Sequence, residues 1–221
     1  MTRARQEKQQ EAIKAGILAA ARGIISREGV AGLSIRKITS ELEYSPAIIY
    51  HYFRNKDDIL AALLRDGYGR ILAAIQSVPS TPDRPDAEIR AAFGRYLAVV
   101  LADPEEFKAI LLSTDPAVLA RTAVLHRGVA GRSPSIGWLA AVIERGMQSG
   151  RLRAGDPELT AQILWSATFG LTVRLALETD VDPAQRTRLI DRHFDLLFQG
   201  LLEPAVSQPP EQTLTDRKER P

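Results

Sequence analysis

With 221 residues, 45% of them hydrophobic and 25% charged, the chain holds enough apolar material for one large domain or two small ones. It has no cysteine, which excludes a disulfide framework, a thiolate nucleophile and a cysteine-based zinc site. The net charge is only +2, but residues 1–56 hold 10 Lys/Arg against 5 Asp/Glu, a balance of +5, and the remainder holds 19 against 22, or −3.

That division predicts a polyanion-facing N-terminal module and a neutral-to-acidic remainder. The first residues, MTRARQEKQQEAIK, are charged where a signal peptide needs an apolar stretch, and no apolar run approaches the ~18 residues that span a bilayer. The expectation is a soluble, unexported, cytoplasmic protein with no membrane partner.

In chain order, Ile13, Ile17, Leu18, Ala21, Ile24 and Ile25 recur at helical spacing and predict a helix over 8–28, stopped by Gly29. LSIRKITSEL predicts a second helix over 34–42, with Ser34 as its cap and Ile35, Ile38 and Leu42 on one face. After the break EYS, Ser45 is placed to cap a short helix over 46–54 whose first residue is Pro46, a favoured opening position. Asn55 then caps a fourth helix reaching about Ser77, with Asp57 and Asp58 in the first turn, where the helix dipole favours them. VPSTPDRPD (78–86) is a linker with three prolines. Beyond it, helices are expected over 86–102, 104–113, 116–128, 134–149, 157–179 and 183–202. The polar, proline-rich end, 204–221, is expected to be a disordered tail. No strand alternation or internal repeat appears, so the predicted fold class is all-α.

Two short helices joined by a tight turn and preceded by a longer amphipathic one fit a helix-turn-helix. The stretch YHYF, Tyr50 to Phe53, sharpens this reading, because four consecutive rings on a helix cannot all enter one core. Ile49 and Phe53, four apart, are the bracing pair. Ser45, Pro46, Ala47, Ile48 and His51 are left facing outward, flanked by Tyr50 and Tyr52, whose hydroxyls can reach phosphates. Lys56 sits in the first turn of its helix, where the dipole disfavours a cation, and an external phosphate would compensate it.

SIRKITSELEYSPAIIYHYFRNKDDIL resembles the DNA-binding domain of tetracycline-repressor-type (TetR/AcrR) transcriptional regulators. Ser34, Ile38, Ser45, Tyr50, Tyr52, Phe53, Lys56, Asp57 and Leu60 stand at matching positions. The resemblance implies that Ser34, Arg36, Ser45, Tyr50, Tyr52 and Lys56 hold phosphates, and that Pro46, Ala47, Ile48 and His51 face the major groove of a double-stranded operator. Two residues depart from the pattern. Glu43 stands at the usual turn glycine and must tolerate positive φ or a remodelled turn. Ile48 stands where threonine is common, and contact with a thymine methyl is its available base readout.

The implied division is a DNA-binding domain over 1–56, a connecting helix over 57–77 and a ligand-binding and dimerisation domain over 78–203. Recognition of symmetric half-sites calls for a homodimer. Leu159, Ile163, Leu171, Ile190, Phe194, Leu197 and Leu201 recur at helical spacing on the last two helices and are either dimer interface or monomer core. The resemblance names those two helices as a four-helix dimer interface. ILWSATFGLTVRLALE (163–178) further resembles the Trp-x-x-x-aromatic-Gly segment of one C-terminal subgroup. The resemblance also implies a small-molecule effector entering the helical body, and Phe107, Leu111, Trp138, Met147, Trp165 and Phe169 are candidates to line its pocket. Their apolar character favours an uncharged ligand.

Enzyme signatures are missing: there is no His-Glu-x-x-His, Gly-x-Ser-x-Gly or helix-opening Gly-x-Gly-x-x-Gly. GVAGRS (128–133) lacks the spacing and lysine of a phosphate loop, and His126 and His193 have no ligand partners nearby in sequence. No catalytic residue, metal or cofactor is expected. The function expected is a ligand-responsive repressor; an activator of the same fold and an architectural DNA-binding protein without effector are the alternatives.

Overall fold

The computed structural model describes residues 3–111, 114 and 116–202, without the side chains of residues 3, 4, 109–111, 117 and 121. Among the described residues ten α-helices follow in order: α1 (Arg3–Glu28), α2 (Ile35–Leu42), α3 (Pro46–Tyr52), α4 (Lys56–Gln76), α5 (Pro85–Ala102), α6 (Pro104–Leu111), α7 (Pro116–Thr122), α8 (Pro134–Gln148), α9 (Pro157–Leu177) and α10 (Pro183–Leu201). A single 3₁₀ turn, Val30–Gly32, joins α1 to α2. Among the described residues the only β pairing is one bridge between Leu152 and Leu202. The all-α expectation holds. No described helix is long and apolar enough to cross a membrane.

Proline opens α3 and every helix from α5 to α10. Its fixed φ suits the first helical position, where its missing N–H is not needed. Side-chain caps add to this: the Leu159 N–H donates to Asp156 Oδ1 (3.1 Å) and the Gln185 N–H to Asp182 Oδ2 (3.0 Å).

Two apolar clusters hold the helices. The head packs Ile17, Ala21, Ile24 and Ile25 of α1 against Ile38, Ile49, Phe53, Ile59 and Leu63. The body packs Ile89, Phe93 and Tyr96 of α5 against Ile136, Leu139 and Ile143 of α8, Leu164 and Leu175 of α9, and Phe194 and Phe198 of α10. α4 belongs to both, with Ile59 to Leu63 in the head and Ile75 in the body. Val118 of α7 also enters the head core, although it lies far along the chain.

Two expected boundaries are corrected. α1 begins before residue 8, at Arg3, through a polar stretch that carries no apolar periodicity and is exposed over residues 5–8. The helix expected over 116–128 ends at Thr122. Tertiary hydrogen bonds claim the next residues instead: Gln162 Nε2 donates to the carbonyls of Val124 (2.9 Å) and His126 (3.1 Å), and the N–H groups of Gly128 and Ala130 donate to the Glu158 carboxylate (2.7 and 2.8 Å). Gly128, at φ 76°, supplies the left-handed residue this loop requires. The proline-rich tail, 204–221, lies outside the described residues.

Candidate nucleic-acid interface

α2 is anchored at its start by the Lys37 N–H donating to Ser34 Oγ (3.3 Å). At its end Glu43 takes φ 54° and ψ 29°, the left-handed conformation that was one of the two outcomes expected where the turn glycine is missing. A side chain there costs about 1 kcal/mol relative to glycine. Glu43→Gly is therefore expected to stabilise the head by about that amount, read as a higher urea midpoint with an unchanged slope.

α3 follows after three residues, Glu43 to Ser45. The seven-residue helix is too short to persist alone, so its buried side decides its orientation. Ile49 is 0% exposed and Phe53 is buried at its C-terminus, which makes them the braces. Ser45, Pro46, Ala47 and His51 are exposed, with Ile48 at 36% and Tyr50 at 56%. Tyr52 is half-buried, its ring edge-on to His51 at 5.0 Å, and it packs against the head core. The four rings thus divide into two outward (Tyr50, His51), one at the boundary (Tyr52) and one inward (Phe53). Ser45 occupies the cap position in extended conformation but makes no side-chain cap bond, so its hydroxyl serves no local hydrogen bond.

Charge around this face is selective. Lys37 is bonded to Glu28 and Arg27 to Glu41, which neutralises both on the protein. Arg36 and Lys56 are exposed, and neither forms an ion pair among the described residues. Arg54 was not anticipated. Its guanidinium bonds Asp58 at 2.9 Å, which holds the Asp58 carboxyl below the usual carboxylate range and raises the already high Arg54. The signal was its place between Phe53 and the Asn55 cap, one residue from the rings. Asn55 caps α4 as expected, accepting from the Asp58 N–H at 2.9 Å, and sets Lys56 in the first turn.

In the body the candidate pocket residues separate. Trp138 and Trp165 meet at a cavity of ≈ 10 Å³ between α4, α5, α8 and α9, lined also by Ile75, Ala92, Phe93, Ser135 and Leu139. That is room for about one water molecule. Phe107 and Phe169 pair with each other across α6 and α9, 6.0 Å apart. Met147 is half-buried and does not line the cavity, and the Leu111 side chain lies outside the described residues. The sequence reading missed Phe93 and Tyr96, whose rings stand 6.2 and 5.1 Å from Trp165. Their spacing of three on one helix was the available signal. The Tyr96 hydroxyl is buried beside Thr172 without a well-formed hydrogen bond among the described residues, and burial raises its pKa well above the ordinary tyrosine value, with Thr172 opposing the rise.

The candidate dimer residues also divide. Leu159 and Ile163 of α9 are exposed. Leu171, Ile190, Leu197 and Leu201 are half-buried and pack against the body core. Phe194 is a correction: it is 1% exposed within a single chain, stacked on Phe93, so it is core and not available to a partner. Leu177, Leu189 and Leu196 are exposed on the same two helices and were not anticipated.

Residues 17–63, which span the end of α1 through the first part of α4, match the family model of bacterial regulatory proteins, tetR family. The chain is 35% identical over 95 residues to the HTH-type transcriptional repressor SCO4008 of Streptomyces coelicolor, covering 43% of this chain and 46% of that protein. It is 31% identical over 118 residues to an HTH-type transcriptional regulator of Saccharopolyspora erythraea, covering 52% and 48%. The matches thus span about half the length of these relatives. Among solved structures, SmeT in complex with triclosan superposes at a TM-score of 0.69 with 21% identity, over 90% of this chain and 96% of that one. SmeT, the repressor of the Stenotrophomonas maltophilia multidrug efflux pump SmeDEF, gives 0.67 at 21% identity over 90% and 94%. The fatty acid degradation regulator FadR of Bacillus halodurans gives 0.63 at 18% identity over 85% and 95%. At such identities the superpositions establish the fold alone, but the helix-turn-helix geometry and the match over residues 17–63 agree: the head of this chain is a helix-turn-helix domain of the tetR type.

Proposed function

We propose that the protein is a homodimeric, sequence-specific transcriptional repressor, released from its double-stranded DNA operator by a small uncharged molecule. The observation that carries this reading is the orientation of α3. Ile49 and Phe53 are buried against the head, while Pro46, Ala47, Ile48, Tyr50 and His51 are exposed, as are Arg36 and Lys56, cations with no ion pair among the described residues. Small residues at the front of the helix let its backbone approach a groove. Ser34, Ser45, Tyr50, Tyr52, Arg36 and Lys56 then act on phosphates, which position the protein without reading sequence.

The dimer is formed in this reading by the apolar exposed residues of α9 and α10, Leu159, Ile163, Leu177, Leu189 and Leu196. Two heads related by a two-fold axis would meet half-sites about 34–36 Å apart. The effector enters at the cavity between Trp138 and Trp165, whose lining has no charged group. It must bind one head spacing better than another, with a coupling of about 1–3 kcal/mol for a typical switch. The Streptomyces relative, a transcriptional repressor, and the triclosan complex of SmeT support repression and a small-molecule ligand by analogy only.

Fluorescence anisotropy against duplexes tiled across the protein's own coding region and selected from random DNA tests the reading, with a scrambled duplex as the control. A specificity ratio of about 10³ or more is expected. Ile48→Ala or His51→Ala should relax preference at one position by about 1–3 kcal/mol. Lys56→Ala should weaken binding to all duplexes and flatten the salt slope by about one unit. Equal affinity for selected and scrambled DNA would favour the architectural alternative. If Lys56→Ala changed sequence preference and left the salt slope alone, the phosphate role would be wrong.

A further inference from the structure

α6 carries a buried carboxylate whose partners come from two other helices. The Glu106 side chain is 7% exposed. Its Oε1 accepts from Arg22 Nε of α1 at 2.8 Å and its Oε2 from Arg70 Nη2 of α4 at 2.5 Å. Arg22 Nη2 also donates to Asp66 Oδ2 at 2.8 Å, and Asp66 lies 3.7 Å from Arg70 Nε. The carboxylate keeps the Arg70 guanidinium firmly protonated. A buried charge is tolerated only when paired, so both oxygens being engaged fixes where α6 stands against α1 and α4 together.

The position of this group in the fold gives it a further role. Arg22 is adjacent to Ala21 in the head core, and Arg70 lies on α4 between Leu63 of the head core and Ile75 of the body core. One residue beyond Glu106, Phe107 is buried against Phe169 of α9. Phe169 is one helical turn from Trp165, which lines the body cavity. Consecutive residues of α6 therefore grip the head and the body.

We propose that Glu106 is a positioning residue, an ionic clamp that sets the angle of the DNA-reading head on the body by holding α1 and α4 at one carboxylate. Its consequence for regulation rests on the proposed function, but the clamp itself does not, because it can be measured without DNA. A wire of contacts is not enough for such a role; the clamp must bias a distance.

The chain has no cysteine, so Ser40→Cys in α2 and Glu144→Cys in α8, both exposed sites, give clean spin labels on head and body. Doubly labelled full-length protein diluted into unlabelled protein reports the distance within one chain by double electron–electron resonance. Glu106→Gln keeps the shape and an acceptor but removes the charge. It is expected to shift or broaden the head–body distance by about 2–5 Å while the helical signal and a cooperative melt remain. Arg70→Gln, at a half-exposed partner, should do the same to a smaller extent and decides the matter should Glu106→Gln fail to fold. A lowered melting temperature with an unchanged distance in the folded protein would reduce the cluster to ordinary stabilisation and overturn the proposal. A shifted distance in a protein whose wild type shows no operator preference would support the clamp and sink the regulatory function.

Discussion

Ile49→Ala should abolish DNA binding by dissolving the reading helix, at a cost of about 2–5 kcal/mol to the head. Ile49 contributes no surface to a ligand, being 0% exposed, and α3 has only seven residues. Such a helix gains almost nothing from its own backbone bonds, so its order comes from Ile49 and Phe53 in the head cluster. A loss of this size is a large share of a typical domain stability of about 5–15 kcal/mol. Hydrogen exchange locates the effect: amides of α2 and α3 should lose protection while α8 and α9 keep theirs, because the body core is a separate cluster. Ile48→Ala, one residue earlier on the outward face, should change stability by no more than about 0.5 kcal/mol. If Ile49→Ala left α3 protected and DNA binding intact, something other than the head core would be holding the helix.

Much of this head was legible because its devices are local. Ser34 and Asn55 accept the N–H three residues on, as capping positions should, and Ile49 and Phe53 are buried because four residues make a helical turn. For Glu43 the resemblance left two outcomes, positive φ or a remodelled turn, and the chain takes the first. Longer-range features were not legible. Glu106 reads as an ordinary acidic residue of a first turn, because its partners lie 84 and 36 positions away. The loop after Thr122 has a helix-compatible composition, yet Glu158 and Gln162 take its backbone groups. On α9, Ile163 and Leu164 are adjacent and both apolar, but only Ile163 is exposed. A helix apolar on all sides carries no phase from which the outward side could be chosen.

That ambiguity makes Phe194 and Ile163 a decisive pair. Phe194→Ala should destabilise the folded chain by about 3–5 kcal/mol. The ring is 1% exposed, stacks on Phe93 at 5.6 Å and an interplanar angle of 26°, and lies near Phe198 at 6.4 Å. The Arg90 guanidinium covers it at 5.5 Å from the centroid and is itself held by Asp195 at 2.5 Å. Removing the ring leaves a void beneath a fixed cation and between rings that cannot close it, so little relaxation is available to reduce the cost. The melting temperature should fall by about 10 °C or more, measured at constant protein concentration because association also raises it. Ile163→Glu should behave oppositely. The side chain is 58% exposed, so a carboxylate there is solvated in the single chain but buried unpaired in any interface that α9 forms. Sedimentation should therefore show half the wild-type mass for Ile163→Glu, with helical content retained, and the wild-type mass for Phe194→Ala below its transition. Well-folded monomers from Phe194→Ala and unaltered dimers from Ile163→Glu would reverse both assignments and place the partner on the α5–α10 side of the body.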